Sequence, residues 1–128
     1  MNYIKYNHNP FNIKTGDCVI RAVGFALNET WQDTYKGMMD VTLDMGFAIS
    51  CKDNYEEYLK RKGIPKQKMP KRANGKRYRL NDFIKELAEP NKTYIIKLQG
   101  HHLTCVKDLA IYDTWYCGEK CVLNYWVV

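Results

Sequence analysis

The sequence predicts an α+β fold in which N-terminal helices pack on a C-terminal antiparallel sheet. Apolar residues recur at the spacing of amphipathic helices from residue 17 to about residue 88. After residue 93, short runs rich in β-branched and aromatic residues alternate with turn residues, which is typical of antiparallel hairpins. The chain of 128 residues fits one domain of this kind, spanning residues 1–128.

The first part of the chain is predicted to lead into a helix that begins at a cysteine. Residues 1–16 contain Asn, Pro and Gly without a helical period, so we expect an extended lead-in. Asp17 is a favourable N-cap and places Cys18 in the first helical turn. The apolar stripe of this helix consists of Val19, Ala22, Val23, Ala26 and Leu27.

Three further helices and four strands are expected. Thr30 can cap a second helix, which runs to about residue 44 and ends at Gly46. The remaining predicted elements are a helix at 55–62, a basic loop at 63–79, a helix at 80–88, and strands at 93–98, 102–107, 110–115 and 122–127.

Composition narrows the classes of protein that fit. No apolar run approaches the roughly 20 residues of a membrane-spanning helix, and the first residues lack the apolar core of a secretory signal. We therefore expect a cytoplasmic protein without a membrane partner, in the host cytoplasm if the gene is carried by a phage. An odd number of cysteines argues against a disulfide framework. The five are Cys18, Cys51, Cys105, Cys117 and Cys121.

Cys18 is the thiol that the predicted fold would activate. The thiolate is the reactive form, and a helix N-terminus favours it because unpaired backbone amides point outward there. Cys18 lies one residue outside the apolar stripe and follows a turn that contains Gly16, so it is expected to be accessible. The alternative is a buried structural cysteine, the commoner fate of a single thiol.

A predicted hairpin brings a histidine and an aspartate together. If the chain turns through two residues, Asp108-Leu109, then Val106 lies opposite Ile111 and His102 lies opposite Trp115. His102 and Asp113 then share one face of the sheet as diagonal neighbours, roughly 7–8 Å apart at the backbone. An aspartate that holds one imidazole nitrogen leaves the other free to act on a thiol. The same register points Cys105 to the opposite face.

Four segments, in this order along the chain, resemble the papain-like superfamily of cysteine peptidases, in particular small phage and bacterial domains and bacteriocin-processing peptidases. They are Asn12 six residues before Cys18, Gly16-Asp17-Cys18 at the start of a helix, the histidine strand Gly100–Val106, and Ile111–Trp115. The resemblance covers residues 12–27 and 93–126, whereas the middle of the chain matches only in being helical.

The resemblance implies a papain-like fold and a catalytic triad of Cys18, His102 and Asp113 that acts on a peptide or protein without a metal or cofactor. In the family a Gln six residues before the cysteine helps to bind the oxyanion, and Asn12 takes that position here. The same three residues would also suit a transglutaminase-like acyltransferase. A papain-like scaffold that has lost its chemistry and acts as a binding module is a third hypothesis.

Other residues have competing interpretations. His101 is predicted to be a polar residue at a strand end, and His8 an exposed residue of the lead-in. A zinc site built from Cys105, Cys117, Cys121 and a histidine is disfavoured, because no Cys-x-x-Cys pair is present.

A basic segment lies in the middle of the chain. Ten of the 20 Lys and Arg residues fall between Lys60 and Arg79, with no acidic residue among them. Because the whole chain carries +6, the rest carries −4. A solvated loop is the favoured interpretation, with an acidic partner as an alternative. Nucleic acid is disfavoured as a partner, because Tyr78 is the only aromatic residue of this segment and could stack on one base at most.

Overall fold

The computed structural model describes residues 2–128 and confirms the α+β class. Within this part of the chain no helix is both long and apolar enough to cross a lipid bilayer. The helices are α1 (Cys18–Ala26), α2 (Trp31–Met45), α3 (Lys52–Arg61) and α4 (Leu80–Glu86). The strands are β1 (Tyr3–Lys5), β2 (Thr93–Leu98), β3 (His102–Lys107), β4 (Ala110–Asp113) and β5 (Val122–Val127).

The sheet is mixed, with the order β1-β4-β3-β2-β5. The four C-terminal strands pair antiparallel as predicted. The expectation of a wholly antiparallel sheet is wrong, because part of the extended lead-in forms β1 and pairs parallel with β4, with Tyr3 opposite Ile111. Strand β4 is also two residues shorter than predicted and ends at Asp113.

The ends of the second helix were predicted from the sequence, whereas the start of the third helix was not. The Thr30 hydroxyl oxygen accepts a hydrogen bond from the Asp33 amide at 3.0 Å, and Gly46 ends α2 in the left-handed conformation at φ 78°. Helix α3 begins three residues earlier than predicted. Its first turn is Lys52-Asp53-Asn54, which offers no apolar period. The Asn54 amide is nevertheless buried and donates to the carbonyl of Met38 in α2 at 3.0 Å.

The sheet has an apolar core on each face. Residues of α1, α2 and α3 pack with Ile95, Cys105 and Trp126 in one cluster, and β3 packs against α1. Residues of α4 pack with Ile96, Val106 and Val122 in the other. Cys105 therefore lies in the helical core, on the face predicted for it.

The β3–β4 hairpin adopts the predicted register, with Val106 opposite Ile111. Its two-residue turn has both residues in the left-handed region, Asp108 at φ 49° and Leu109 at φ 66°. Two positive φ values in a two-residue loop define a type I′ turn, whose twist matches that of the strands. The Asp108 carboxylate also accepts a hydrogen bond from the Asn91 amide at 2.8 Å, which fixes the turn against the start of β2.

Replacing Leu109 separates the effect of backbone conformation from that of the side chain. We expect Leu109→Gly to be more stable than Leu109→Ala by about 1 kcal/mol, because glycine adopts a positive φ without steric cost. Urea unfolding of the two variants measures this difference.

The same pair of substitutions at Lys107, in regular β3, is the matched control. There alanine should be the more stable of the two, because glycine loses more backbone entropy on folding. Equal stability of the two variants at position 109 would contradict the left-handed turn.

Candidate active site

Cys18 is the first residue of α1 and is half-buried. Its thiol lies 4.0 Å from the carbonyl oxygen of His101, to which it can donate. Burial would raise the pKa of Cys18, but interaction with the His102 ring, a hydrogen bond from the Leu103 amide and the positive charges of His102 and Arg21 hold this pKa below its usual range. The helix start adds its own positive field. Cys18 is therefore a thiol prepared to ionise.

His102 and Asp113 form a buried pair. The Nε2 atom of His102 lies 2.6 Å from Oδ2 of Asp113, and the other carboxylate oxygen accepts from the Thr114 amide at 2.7 Å. The side chain of Trp115, which lies beyond the end of β4, covers the imidazole, with ring centroids 4.6 Å apart. With Nε2 engaged by Asp113, Nδ1 is the ring atom left to serve the Cys18 thiol.

The charge states of the pair follow from their contacts. Burial would lower the pKa of His102, but the hydrogen bond to Asp113 and the contacts with the Cys117 and Cys18 thiols raise it to about 11. Burial would raise the pKa of Asp113, but the hydrogen bond and positive charge of His102, together with the hydrogen bonds of its other neighbours, lower this pKa. The shifts favour the charged form of each group: the pKa values of Cys18 and Asp113 are lowered, and the pKa of His102 is raised.

Asp17 does not have the role expected from its position. It occupies the N-cap site of α1, but its side chain makes no capping hydrogen bond. Instead the buried carboxylate accepts from Trp31 Nε1 at 2.9 Å and from Asn9 Nδ2 at 3.1 Å, and it pairs with Arg21. Three partners from separate segments satisfy this carboxylate better than the helix amides could. The Asp17 side chain therefore does not cap α1 as predicted.

Arg21 links Asp17 to the candidate site and was missed in the sequence. One nitrogen of its guanidinium group pairs with Asp17, and another lies 3.6 Å from Oδ1 of Asp113. Arg21 stands one turn after Cys18 on the same helix, and its spacing of four from Asp17 was a readable ion-pair signal. It holds the orienting carboxylate from the side opposite His102.

Cys117 also joins the group. Its sulfur lies 3.7 Å from Oδ2 of Asp113, and the ligand atoms of His102, Asp113 and Cys117 all fall within 4.8 Å of one another. These three could in principle hold a metal ion. Two ligands at about 2.0 Å in a tetrahedral zinc site are, however, roughly 3.3 Å apart. The 2.6 Å contact between His102 and Asp113 instead has the length of a charge-assisted hydrogen bond.

The remaining candidates lie outside this group. Asn12 is exposed, and its amide oxygen accepts from Asn7 Nδ2 at 3.5 Å; its role as an oxyanion donor stays a prediction. His101 is exposed, in the turn before β3. The expectation of an exposed His8 is wrong, because this residue is half-buried with both ring nitrogens partnered, by the Tyr6 hydroxyl and the Glu29 carbonyl.

Half of the cations in the basic segment are paired within the chain. Arg72 pairs with Asp82 and Glu86 and lies over the ring of Tyr78. Five of the ten cations between residues 60 and 79 make ion pairs with carboxylates; they are Arg61, Lys62, Lys66, Arg72 and Arg79. The segment therefore presents less free charge than its composition suggests.

No protein-family model, curated protein or solved structure matched this chain. The chemistry of the site therefore has to be inferred from its own geometry.

The pH dependence of alkylation tests the ionisation of Cys18. Because its pKa is lowered, the thiolate should persist below the roughly 8.5 of a free thiol and be lost only as pH falls through the lower value. On the alkaline side, His102 should lose its proton near pH 11. Iodoacetamide labelling followed by mass spectrometry of each cysteine peptide gives the profile.

His102→Ala should move the alkylation midpoint of Cys18 to higher pH, because the thiolate loses its cationic partner. Cys121 is half-buried like Cys18 and is the internal control whose profile should not move. An unchanged Cys18 midpoint in this variant would contradict an ion pair between Cys18 and His102.

Arg21→Met should lower the free energy of unfolding by about 3 kcal/mol, because the buried carboxylate of Asp17 loses its charged partner. Asp17→Asn in the same chain should restore part of the loss, because the amide needs no counter-charge. Arg61→Met is the matched control: its ion pairs are exposed, so little change is expected. Equal losses in the free energy of unfolding for Arg21→Met and Arg61→Met would show that the buried Arg21–Asp17 pair stabilises the fold no more than an exposed pair does.

Proposed function

We propose that the protein is a cysteine peptidase or amide hydrolase that acts on a peptide or protein through Cys18, His102 and Asp113. The observation that carries this proposal is the buried His102–Asp113 pair, whose histidine lines one cleft together with the Cys18 thiol at a helix N-terminus. A helix that begins at the nucleophile and packs on the histidine strand also supports a papain-like arrangement.

The proposed reaction begins with the thiolate–imidazolium pair. The Cys18 thiolate attacks the carbonyl carbon of the scissile amide, and the carbonyl electrons move to oxygen. The Cys18 amide has no partner within α1 and can donate to that oxyanion; Asn12 is the second candidate donor. His102 gives its proton to the leaving nitrogen as the C–N bond breaks, which leaves an acyl group on sulfur.

Release of the acyl group reverses the roles. Neutral His102 takes a proton from water, the resulting hydroxide equivalent attacks the thioester, and the carboxylic acid leaves as the thiolate re-forms. Asp113 keeps the imidazole oriented through both steps, and the Thr114 amide and Arg21 in turn hold Asp113. The Trp115 ring shields the imidazole from water.

Acyl transfer to an amine would use the same first half of the reaction. A transglutaminase-like enzyme differs only in the acceptor of the acyl group, so the partition between water and an added amine separates the two functions. An inactive binding module would form no acyl group at all.

p-Nitrophenyl acetate tests the first half-reaction without knowledge of the natural substrate. We expect release of nitrophenolate and a transient acetyl group on Cys18, visible by mass spectrometry. Cys18→Ala should abolish both, and Asp113→Asn should slow acetylation at least about 100-fold, because the imidazole loses its orienting anion.

Cys121→Ala is the matched control, since it removes a half-buried thiol outside the proposed triad. Repeating the reaction with glycinamide shows whether the acetyl group passes to water or to the amine. Acetylation that persists in Cys18→Ala, or that Asp113→Asn leaves unchanged, would overturn the proposed chemistry.

A further inference from the structure

Two clefts are lined in part by His102, and the first of them is also lined by Cys18. The first, of about 410 Å³, is lined by Lys14, Gly16, Arg21 and Trp115 among others. The second, of about 260 Å³, lies on the other side of His102 and is lined by Cys51, Lys52, Tyr55, Lys97 and His101 among others; we call it the lysine cleft. Within residues 2–128, neither cleft has an aspartate or glutamate in its lining.

Lys97 has an unusual environment for a lysine. It is half-buried in β2, between Leu103 of β3 and Asn124 of β5, so the sheet fixes its position. Its charged neighbours are Lys52, Lys66 and Glu56, and the last two already pair with each other at 2.9 Å. Burial and then the charge of Lys52 lower the pKa of Lys97, with Glu56 only partly opposing them.

The lysine cleft therefore holds positive charge that the described part of the chain does not neutralise. Neither Lys52 nor Lys97 makes an ion pair there, in contrast to half of the cations between residues 60 and 79. An ammonium group held among like charges is stabilised when an anion enters beside it. A carboxylate is an anion of suitable charge, and it would reach this cleft within contact of His102.

We propose that the lysine cleft binds an aspartate or glutamate side chain of the substrate, so that the enzyme acts on acidic peptide segments. This inference rests on the proposed function, because it takes the cleft to hold the residues next to the scissile bond. Lys97 and Lys52 are the specificity-determining residues, and neither is part of the reacting group.

Protection of Cys18 from iodoacetamide tests the proposal without knowledge of the natural sequence. The probes are two isosteric peptides, acetyl-(Glu-Gly)3-amide and acetyl-(Gln-Gly)3-amide. The acidic peptide should half-protect Cys18 at a concentration about two- to fivefold lower, as expected of one partly exposed ion pair. Its advantage should shrink as salt is raised.

The variant K52M/K97M should lose the preference for the acidic peptide. The matched control K36M/K85M removes two exposed lysines outside the cleft and should retain it. Equal protection by the two peptides, a preference that survives K52M/K97M, or an equal loss in the control would each overturn the inference. Alkylation without peptide shows separately whether the lysines alter the thiolate itself.

Failure of this proposal is distinguishable from failure of the proposed function. Acetylation of Cys18 by uncharged p-nitrophenyl acetate in the unaltered chain reports the chemistry alone, because this probe carries no carboxylate for the lysine cleft to bind. If Cys18 is acetylated but the two peptides protect it equally, the proposed hydrolase chemistry stands and only the proposed acidic specificity is overturned.

Discussion

The hydrogen bond between His102 and Asp113 depends on one constraint, the register of the β3–β4 hairpin. The turn at Asp108-Leu109 fixes which residues of the two strands face each other, and a slip of one residue would move Asp113 to the opposite face of the sheet. Packing of β3 against α1 then determines which residues lie near the His102 side chain. The backbone conformation of two turn residues thus affects the geometry of the candidate site, because it sets the strand register.

Burial makes the charges of the site interdependent. Asp17 and Asp113 are both buried, and Arg21 is the cation that lies between them. A buried carboxylate without a partner would cost several kcal/mol or take up a proton. His102 lowers the pKa of Asp113, the hydrogen bond to Asp113 raises the pKa of His102, and His102 in turn lowers the pKa of Cys18. Each group therefore sets the ionisation of the next.

The sequence contained the local parts of this site but not its supporting contacts. A two-residue turn and strand alternation were enough to pair His102 with Asp113, and the apolar stripe that follows Asp17 was enough to place Cys18 at a helix start. The burial of Asp17 depends on Asn9 and Trp31, which converge only in the folded chain, so its capping role was predicted wrongly. The three residues of β1 carry no period of their own, and their pairing is decided by the free edge of β4.

The distribution of charge around the thiolate limits what could approach it. Arg21 lines the first cleft, but its guanidinium group is engaged by two buried carboxylates, so it contributes little free charge to a ligand. A substrate carboxylate about 6 Å from the Cys18 thiolate would be repelled by about 1–3 kcal/mol over the range from water to an effective dielectric of 20. Cations that are not already paired must offset that repulsion. Lys52 and Lys97 meet this requirement on the other side of His102, whereas the paired cations of the basic segment do not.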